Sequence, residues 1–598
     1  MTSAPPAQGA PSKWLLGALL GLSALAFMTG LSDAPIERAE IYFLDAARAM
    51  VETSDWLVPR YRGEPFYDKP PLTYWLLASS FEFFGPSLFA GRLMAVLLAM
   101  ATLGATYFFS TRLVALRGPG QASADGHRAA FMAAAILASS YAFVSFARLT
   151  MSDMVLTLLT LLAGGAYLTF EAGAKAGWLV GCGAWLGLGF LTKGPIAWVY
   201  FGGLLIAHGV VERRVPRIFN RAGLMGTLTA VVLAASWFVC VYVQEGGEPL
   251  RWFFLRENLQ RFAAQTYDTD QPFWYYGLTY AIEGLPWSVL AFPAALFAFR
   301  ARSPRVLRVI FLWTLLMLVP LSLSKGKIDY YLLPLLPPLS IATGAYLSIG
   351  APSPRTLRLF AGLAAALLLE ATKAPMLPPP WAPSAGEVQW LHVFLAACAL
   401  ACLAAALRPR PVTIVSVAAA SVLGTAVLLF GVLVPAYRSA QPTETLLDDI
   451  ARERAFNPDL RVAACNDPLR LQRDLLFSFR LPVLESCELW AVAAASKKFL
   501  ILATPAEEAA LRKGEGIRHI ATADLLPADV TRIGTLLMGP TASTVGLLAN
   551  FQTADPVARR KRNREFKRWL DTEEGRPQRE IEERRVEEEE RRARLSKK

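Results

Sequence analysis

Ionisable residues gather in a few short stretches of an otherwise apolar chain: 37–69, 148–153, 193, 251–283 and 325–329. The first stretch holds Glu37, Arg38, Glu40, Asp45 and Arg48, then Asp55-Trp56-Leu57-Val58-Pro59-Arg60, then Tyr67-Asp68-Lys69-Pro70-Pro71. Carboxylates of this kind can act as general bases or supply oxygen to a hard cation. A lysine ammonium is a compact point charge suited to a phosphate. The two prolines after Lys69 restrict the backbone and aim that lysine in one direction. Residues 39–52 place Phe43, Ala47 and Met50 at helical spacing. That segment is expected to be a helix along a membrane surface, with Glu40 at its start, where the helix dipole favours negative charge.

The elements that must position these groups are transmembrane. The 598 residues are 54% hydrophobic, and the excess lies in long, nearly uncharged runs such as 14–31, 154–170, 224–243 and 412–434, each of spanning length. About 13 spans are predicted, near 14–32, 88–111, 129–147, 153–171, 176–191, 196–211, 222–243, 285–300, 306–323, 331–349, 357–372, 388–406 and 412–434. The first is read as a retained helix, because no small-residue cleavage site follows it cleanly. Short basic connections follow even-numbered spans: Arg112, Arg117 and Arg128; Arg213, Arg214, Arg217 and Arg221; Arg300, Arg302, Arg305 and Arg308; Arg355 and Arg358; Arg408 and Arg410. Lysine and arginine resist translocation, so these loops are expected to be cytoplasmic. The surplus charge of +12 then reflects topology and excludes a nucleic-acid partner. All the chemistry-bearing clusters fall on the opposite face, where charges at span ends imply a shared site.

The expected organisation is an all-α polytopic membrane domain over 1–435, with 33–87 as its first outer loop. A small periplasmic α/β domain follows over 436–552, where short apolar runs alternate with charged stretches, and then a charged tail over 553–598. The uncharged stretch 533–551 contains Gly539-Pro540 and many hydroxyls, which favours strand and loop over a fourteenth span. Cys182, Cys240, Cys398 and Cys402 lie in apolar runs as packing residues. Cys465 and Cys487 are candidates for a periplasmic disulfide.

The ordered motifs carry a resemblance. The pattern Glu40-Ile41 with Ala47-Arg48 and Met50, then Asp55-Trp56-Leu57-Val58-Pro59-Arg60 and Asp68-Lys69-Pro70-Pro71-Leu72 resembles the first outer loop of polyprenyl-phosphate-sugar glycosyltransferases of the GT-C type. The nearest resemblance is to the aminoarabinose lipid A transferases, with the protein O-mannosyltransferases more distant. Further matches follow in order at 147–154, 190–195, 256–262, 272–276, 286–287 and 322–327. The resemblance covers about residues 14–345. It implies a GT-C fold and inverting transfer of a sugar from an undecaprenyl-phosphate carrier to lipid A or another envelope acceptor. The implied setting is the bacterial inner membrane, with the site facing the periplasm. A protein hydroxyl acceptor, or a lipid or sugar transporter in place of an enzyme, are the rival readings.

Carried over residue by residue, the resemblance makes Glu40 and Asp153 the catalytic acids, with Glu37 as fallback and Arg148 as a partner for Asp153. Relatives often carry Asp-Glu where this chain has Ala39-Glu40, and either acid also suits an ordinary helix-start carboxylate. Lys69, Arg256, Arg261, Lys325 and Lys327 are the expected phosphate ligands. Asp68 matches a metal ligand whose histidine partner is here Asn258, so the one cofactor implied is an oxygen-liganded divalent cation; the competing reading of Asp68 is an ion pair with a lysine or arginine. Lys193, before Gly194-Pro195, is expected to be structural at a tight turn, and Phe273-Trp274-Tyr275-Tyr276 an interfacial aromatic belt.

Overall fold

A computed structural model describes residues 11–34, 36–37, 39–61, 63–114, 121–260, 271–301, 303–350, 352–372 and 385–435, together with five strands between 461 and 550. The chain divides into two units, Met1–Ser439 and Ala440–Lys598.

The first unit is helical because its apolar runs have no water to satisfy their backbones and must bond internally. Its helices begin α1 (Lys13–Met28), α2 (Glu40–Thr53), α3 (Leu72–Phe84), α4 (Leu88–Val114), α5 (Gln121–Ala138), α6 (Tyr141–Phe146), α7 (Ser152–Glu171), α8 (Gly177–Lys193), α9 (Ile196–Glu212) and α10 (Arg221–Glu245). A two-residue antiparallel ribbon, β1 (Arg60–Tyr61) and β2 (Glu64–Pro65), lies between α2 and α3. Beyond α10 come the short helix Glu248–Arg251, which runs into the π-helical Trp252–Gln260, then Tyr275–Glu283, Ser288–Ala298 and Arg305–Leu323. The 3₁₀ segment Asp329–Leu335 leads into Leu336–Ile349, and Pro354–Ala371, Ala385–Leu407 and Pro411–Leu428 complete the unit.

Each of the apolar runs expected to span contains helix. Among the described residues, seven helices are long and apolar enough to cross a membrane, or eight if the pair Tyr275–Glu283 and Ser288–Ala298, bent by 112°, is one span. The others are shorter or broken: α1 has 16 residues and α9 has 17, and the run at 129–147 breaks at Ser139-Ser140 between α5 and α6. Small residues let helices approach closely. Gly183 of α8 and Gly226 of α10 show this best, since a Cβ on Gly183 would stand 1.9 Å from the Gly226 carbonyl oxygen.

α2 corrects one expectation. Glu40, Ile41, Phe43, Leu44, Ala46, Ala47, Arg48 and Met50 are all buried, and Phe43 packs on Tyr74 of α3 with ring centroids 5.4 Å apart. The spacing of the helix is as expected, but its apolar side faces protein rather than lipid.

The second unit contains a mixed five-stranded sheet in the order β4-β3-β5-β7-β6, formed by Arg461–Cys465, Val483–Leu484, Phe499–Ala503, Ile517–Leu525 and Ser543–Asn550 as β3 to β7. β4, β3 and β5 run parallel, while β7 pairs antiparallel with both β5 and β6. β7 falls inside 533–551, in keeping with strand rather than span; the rest of that stretch, Cys487 and the charged tail lie outside the described residues.

The junction of α8 and α9 shows how the pocket end is shaped. Gly194 has φ +72°, and a Cβ there would stand 2.6 Å from the Phe253 ring, so both backbone and space demand glycine. Gly194→Ala is expected to lower stability by about 1–3 kcal/mol, read as a fall in the melting temperature of the detergent-purified protein; an unchanged melting temperature would show that Phe253 moves aside freely.

Candidate active site

One cavity brings together four of the nine expected site residues, Asp68, Lys69, Asp153 and Asn258. Asp68, Lys69, Asp153, Lys193, Glu257, Asn258 and Ser324 provide its polar lining, and Leu156, Tyr200, Phe253, Leu321 and Tyr331 much of its apolar wall, around a volume of about 140 Å³. The polar groups come from element ends: the turn before α3, the start of α7, the end of α8, the π-helical Trp252–Gln260 and the end of Arg305–Leu323. Helix ends are where charged side chains and unsatisfied backbone groups can meet a ligand.

The cations and acids form pairs. Lys193 Nζ lies 2.6 Å from Asp153 Oδ1 and 4.0 Å from the centre of the Tyr331 ring. Asp153 is buried at the first turn of α7, and its second oxygen accepts from Ser152 Oγ at 3.4 Å. Lys69 Nζ lies 2.8 Å from Asp68 Oδ2 and donates to the Asp68 carbonyl at 3.1 Å. Asn258 donates through Nδ2 to the Phe253 carbonyl at 2.7 Å. Behind the cavity Tyr74 is fully buried, and burial pushes its phenol pKa well up, with Asp68 and Glu257 adding to the effect.

Glu40 occupies a different position from the one expected of a base. Its carboxylate is 0% exposed and forks onto Arg92 of α4, itself 1% exposed, at 3.1 Å from Nε and 2.7 Å from Nη2. It also accepts the backbone N–H groups of Thr150 at 2.8 Å and Glu37 at 2.9 Å. Arg92 gives both Nη1 hydrogens to the carbonyls of Leu31 and Ala34. Glu40 is absent from the cavity lining and reaches it through Thr150, three residues before Asp153.

Arg148 does not pair with Asp153. It donates to the carbonyls of Ala26, Phe27 and Gly30 at the end of α1 and stacks on Phe430 at 3.8 Å. Carbonyls left unpaired at a helix C-terminus attract a buried guanidinium, and Lys193 takes Asp153 instead. Of the expected phosphate ligands among the described residues, Lys69 alone lines the cavity. Arg256 is exposed and stacks on Trp252 at 3.9 Å, and Arg261 lies outside the described residues. Lys325 is exposed, and Lys327 is buried as a clamp, donating to the carbonyls of Gln271 and Ser324.

Three contributors were missed from sequence. Lys193 and Glu257 lie in clusters expected to share a site, but Lys193 reads as structural at a turn and Glu257 has no role of its own. Arg92 had a signal of its own, a lone charge inside the apolar run 88–111, since an intramembrane ion marks function or a buried partner.

Comparison with known proteins bears on the fold. Residues 68–241 match the family model described as dolichyl-phosphate-mannose-protein mannosyltransferase. The solved ArnT from Cupriavidus metallidurans, crystallised with undecaprenyl phosphate, superposes with a TM-score of 0.72 at 21% identity, covering 91% of this chain and 100% of that one. Its apo form gives 0.70. This chain has the GT-C fold. Among curated proteins, undecaprenyl phosphate-alpha-4-amino-4-deoxy-L-arabinose arabinosyl transferases are similar to this GT-C chain, at 31% identity over 315 residues in Aeromonas hydrophila and 28% over 312 in Pseudomonas paraeruginosa. The chain spans about half the length of the curated relatives it matches, 54% in both cases.

The Glu40–Arg92 geometry makes a sharp prediction. Glu40→Gln leaves a buried guanidinium without its counter-charge, which costs about 3–5 kcal/mol. The variant is expected to melt well below wild type in detergent, whereas a wild-type melting curve with lost activity would return Glu40 to the role of base.

Proposed function

We propose that the chain is an integral membrane glycosyltransferase that moves a sugar from an undecaprenyl-phosphate carrier to an envelope acceptor such as lipid A. The observation that carries this reading is the cavity, where two lysine–carboxylate pairs, Lys69–Asp68 and Lys193–Asp153, stand on one apolar-walled space at helix ends. An anionic leaving group needs cations, while an incoming hydroxyl needs a base, and this site holds both side by side. Under this reading the protein crosses the bacterial inner membrane 13 times, with the cavity and the sheet-containing second unit on the periplasmic side; the arginine-rich short loops on the opposite face support that orientation.

In the transfer, Asp153 takes the proton of the acceptor hydroxyl as its oxygen bonds to the anomeric carbon. The bond from that carbon to the carrier phosphate breaks, and its electron pair leaves on the phosphate oxygen. Lys69 commits two donors to Asp68, and the third remains for the phosphate. Lys193 holds the Asp153 carboxylate in its orientation. Arrival from the face opposite the departing phosphate makes the reaction inverting. Glu40 acts as a positioning residue through the Thr150 N–H.

The donor set also suits a divalent cation of the oxygen-loving kind. Asp68, Glu257 and Asn258 share the cavity, and Asn258 keeps Oδ1 for coordination because its bond to Phe253 uses Nδ2. Magnesium is commonly held by one or two carboxylates together with substrate phosphate and water. Bound there, it would offset charge on the carrier phosphate.

Asp153→Asn is expected to reduce sugar release from labelled carrier lipid by about 10²–10⁴-fold in protein that still purifies folded, with a melting temperature lowered by the loss of the Lys193 pair. A fully active variant excludes Asp153 as base, and a wild-type protein that translocates the carrier lipid without releasing sugar indicates a flippase. Chelation with EDTA is expected to lower activity several-fold, with magnesium restoring it; chelator-insensitive activity and no metal by elemental analysis would leave Asp68 as the partner of Lys69 alone.

A further inference from the structure

α7 carries a buried acid at each end. Asp153 faces the cavity, and Glu171 lies about 27 Å away along the helix. The Glu171 carboxylate is 3% exposed and holds two arginines of the α9–α10 loop, Arg214 at 2.6 Å and Arg217 at 3.2 Å. It also accepts the Arg217 backbone N–H at 2.7 Å, and its carbonyl accepts Arg217 Nη2. On the neighbouring helix, His208 shares a 2.8 Å hydrogen bond with Tyr167 of α7. The loop is thereby a fixed surface.

Two more arginines of that surface, Arg213 and Arg221, are exposed and make no ion pair among the described residues. Arg213 sits at φ +54°, a left-handed conformation at the end of α9 that glycine adopts freely and arginine does not. The chain tolerates that strain and keeps the cation. Arg221 opens α10, where the positive end of the helix dipole adds to its field. Arg305 joins from the next basic connection through Glu212 at 3.3 Å. Five arginines therefore face two carboxylates. Between them Phe219 and Val215 are 83% and 69% exposed, continuous with Leu224 and Met225 at the start of α10. Exposed apolar side chains among fixed cations, at the rim of a bilayer-length apolar helix, fit a surface whose outer layer is anionic and whose next layer is hydrocarbon.

We propose that residues 213–221, organised by Glu171, bind the phosphate headgroups of anionic phospholipids at the end of the helical bundle away from the cavity. The charge density alone would satisfy the rule that keeps basic loops on one side of the membrane. The fixed arginines, the left-handed Arg213 and the interleaved aromatic are what that rule leaves unexplained.

The test uses the full chain in nanodiscs of phosphatidylcholine alone or with phosphatidylglycerol, counting phosphatidylglycerol retained through detergent extraction by native mass spectrometry. Wild type is expected to retain phosphatidylglycerol over phosphatidylcholine. Arg213→Gln with Arg221→Gln is expected to weaken that preference by about fivefold for each arginine, at an unchanged melting temperature in phosphatidylcholine. If that double variant fails to fold, Arg213→Lys with Arg221→Lys must retain the lipid, and raising salt must release it from wild type. Equal retention of both lipids by wild type, or retention indifferent to both the arginines and salt, overturns the proposal.

Discussion

The pocket end of the molecule hangs on one buried ion pair. Glu40 and Arg92 are both buried from solvent, and charges taken out of water need hydrogen-bond partners beyond each other. The surrounding structure supplies them. Arg92 draws in the carbonyls of Leu31 and Ala34, and Glu40 draws in the N–H groups of Glu37 and Thr150. The chain leaving α1, the start of α2, the first turns of α4 and the approach to α7 are thereby fixed to a common point. Arg148 repeats the device one step away, tying three carbonyls at the end of α1 to the turn before Asp153.

With that end fixed, the cavity can hold charged groups close together. Each acid that lines it through α7 or the turn before α3 has its own lysine. A site for a phosphate-bearing lipid gains from this arrangement, because lysine hydrogens can be shared with an arriving anion while the acids keep the empty cavity near neutrality. The apolar wall lowers the local dielectric, which strengthens every such interaction. Placement at helix ends also puts the chemistry where a lipid headgroup sits, whereas a transporter places its ionisable residues near the middle of the membrane.

Much of this was readable from the chain. Each of the long apolar runs contains helix, since length and lack of charge leave little other way to satisfy a backbone in hydrocarbon. Glu40 was rightly placed at a helix start and Asp153 at the head of α7. The prolines after Lys69 mark the turn that brings it to the cavity. The partners were not readable. Arg148, five residues from Asp153, was the natural candidate by distance along the chain, yet Lys193, forty residues on, holds the acid. Lys327 looked like a headgroup ligand and became a clamp, because the fold brings the carbonyls of Gln271 and Ser324 within its reach.

The sequence by itself determined which residues would be helix, which ends would carry charge and which family of folds those motifs resemble, because hydropathy and local spacing act over a few turns. Only the tertiary structure decided which acid stays buried with an arginine and which faces a cavity. That choice depends on pairings between helices far apart in the chain, and in a low-dielectric interior the best-satisfied set of partners prevails over the nearest one.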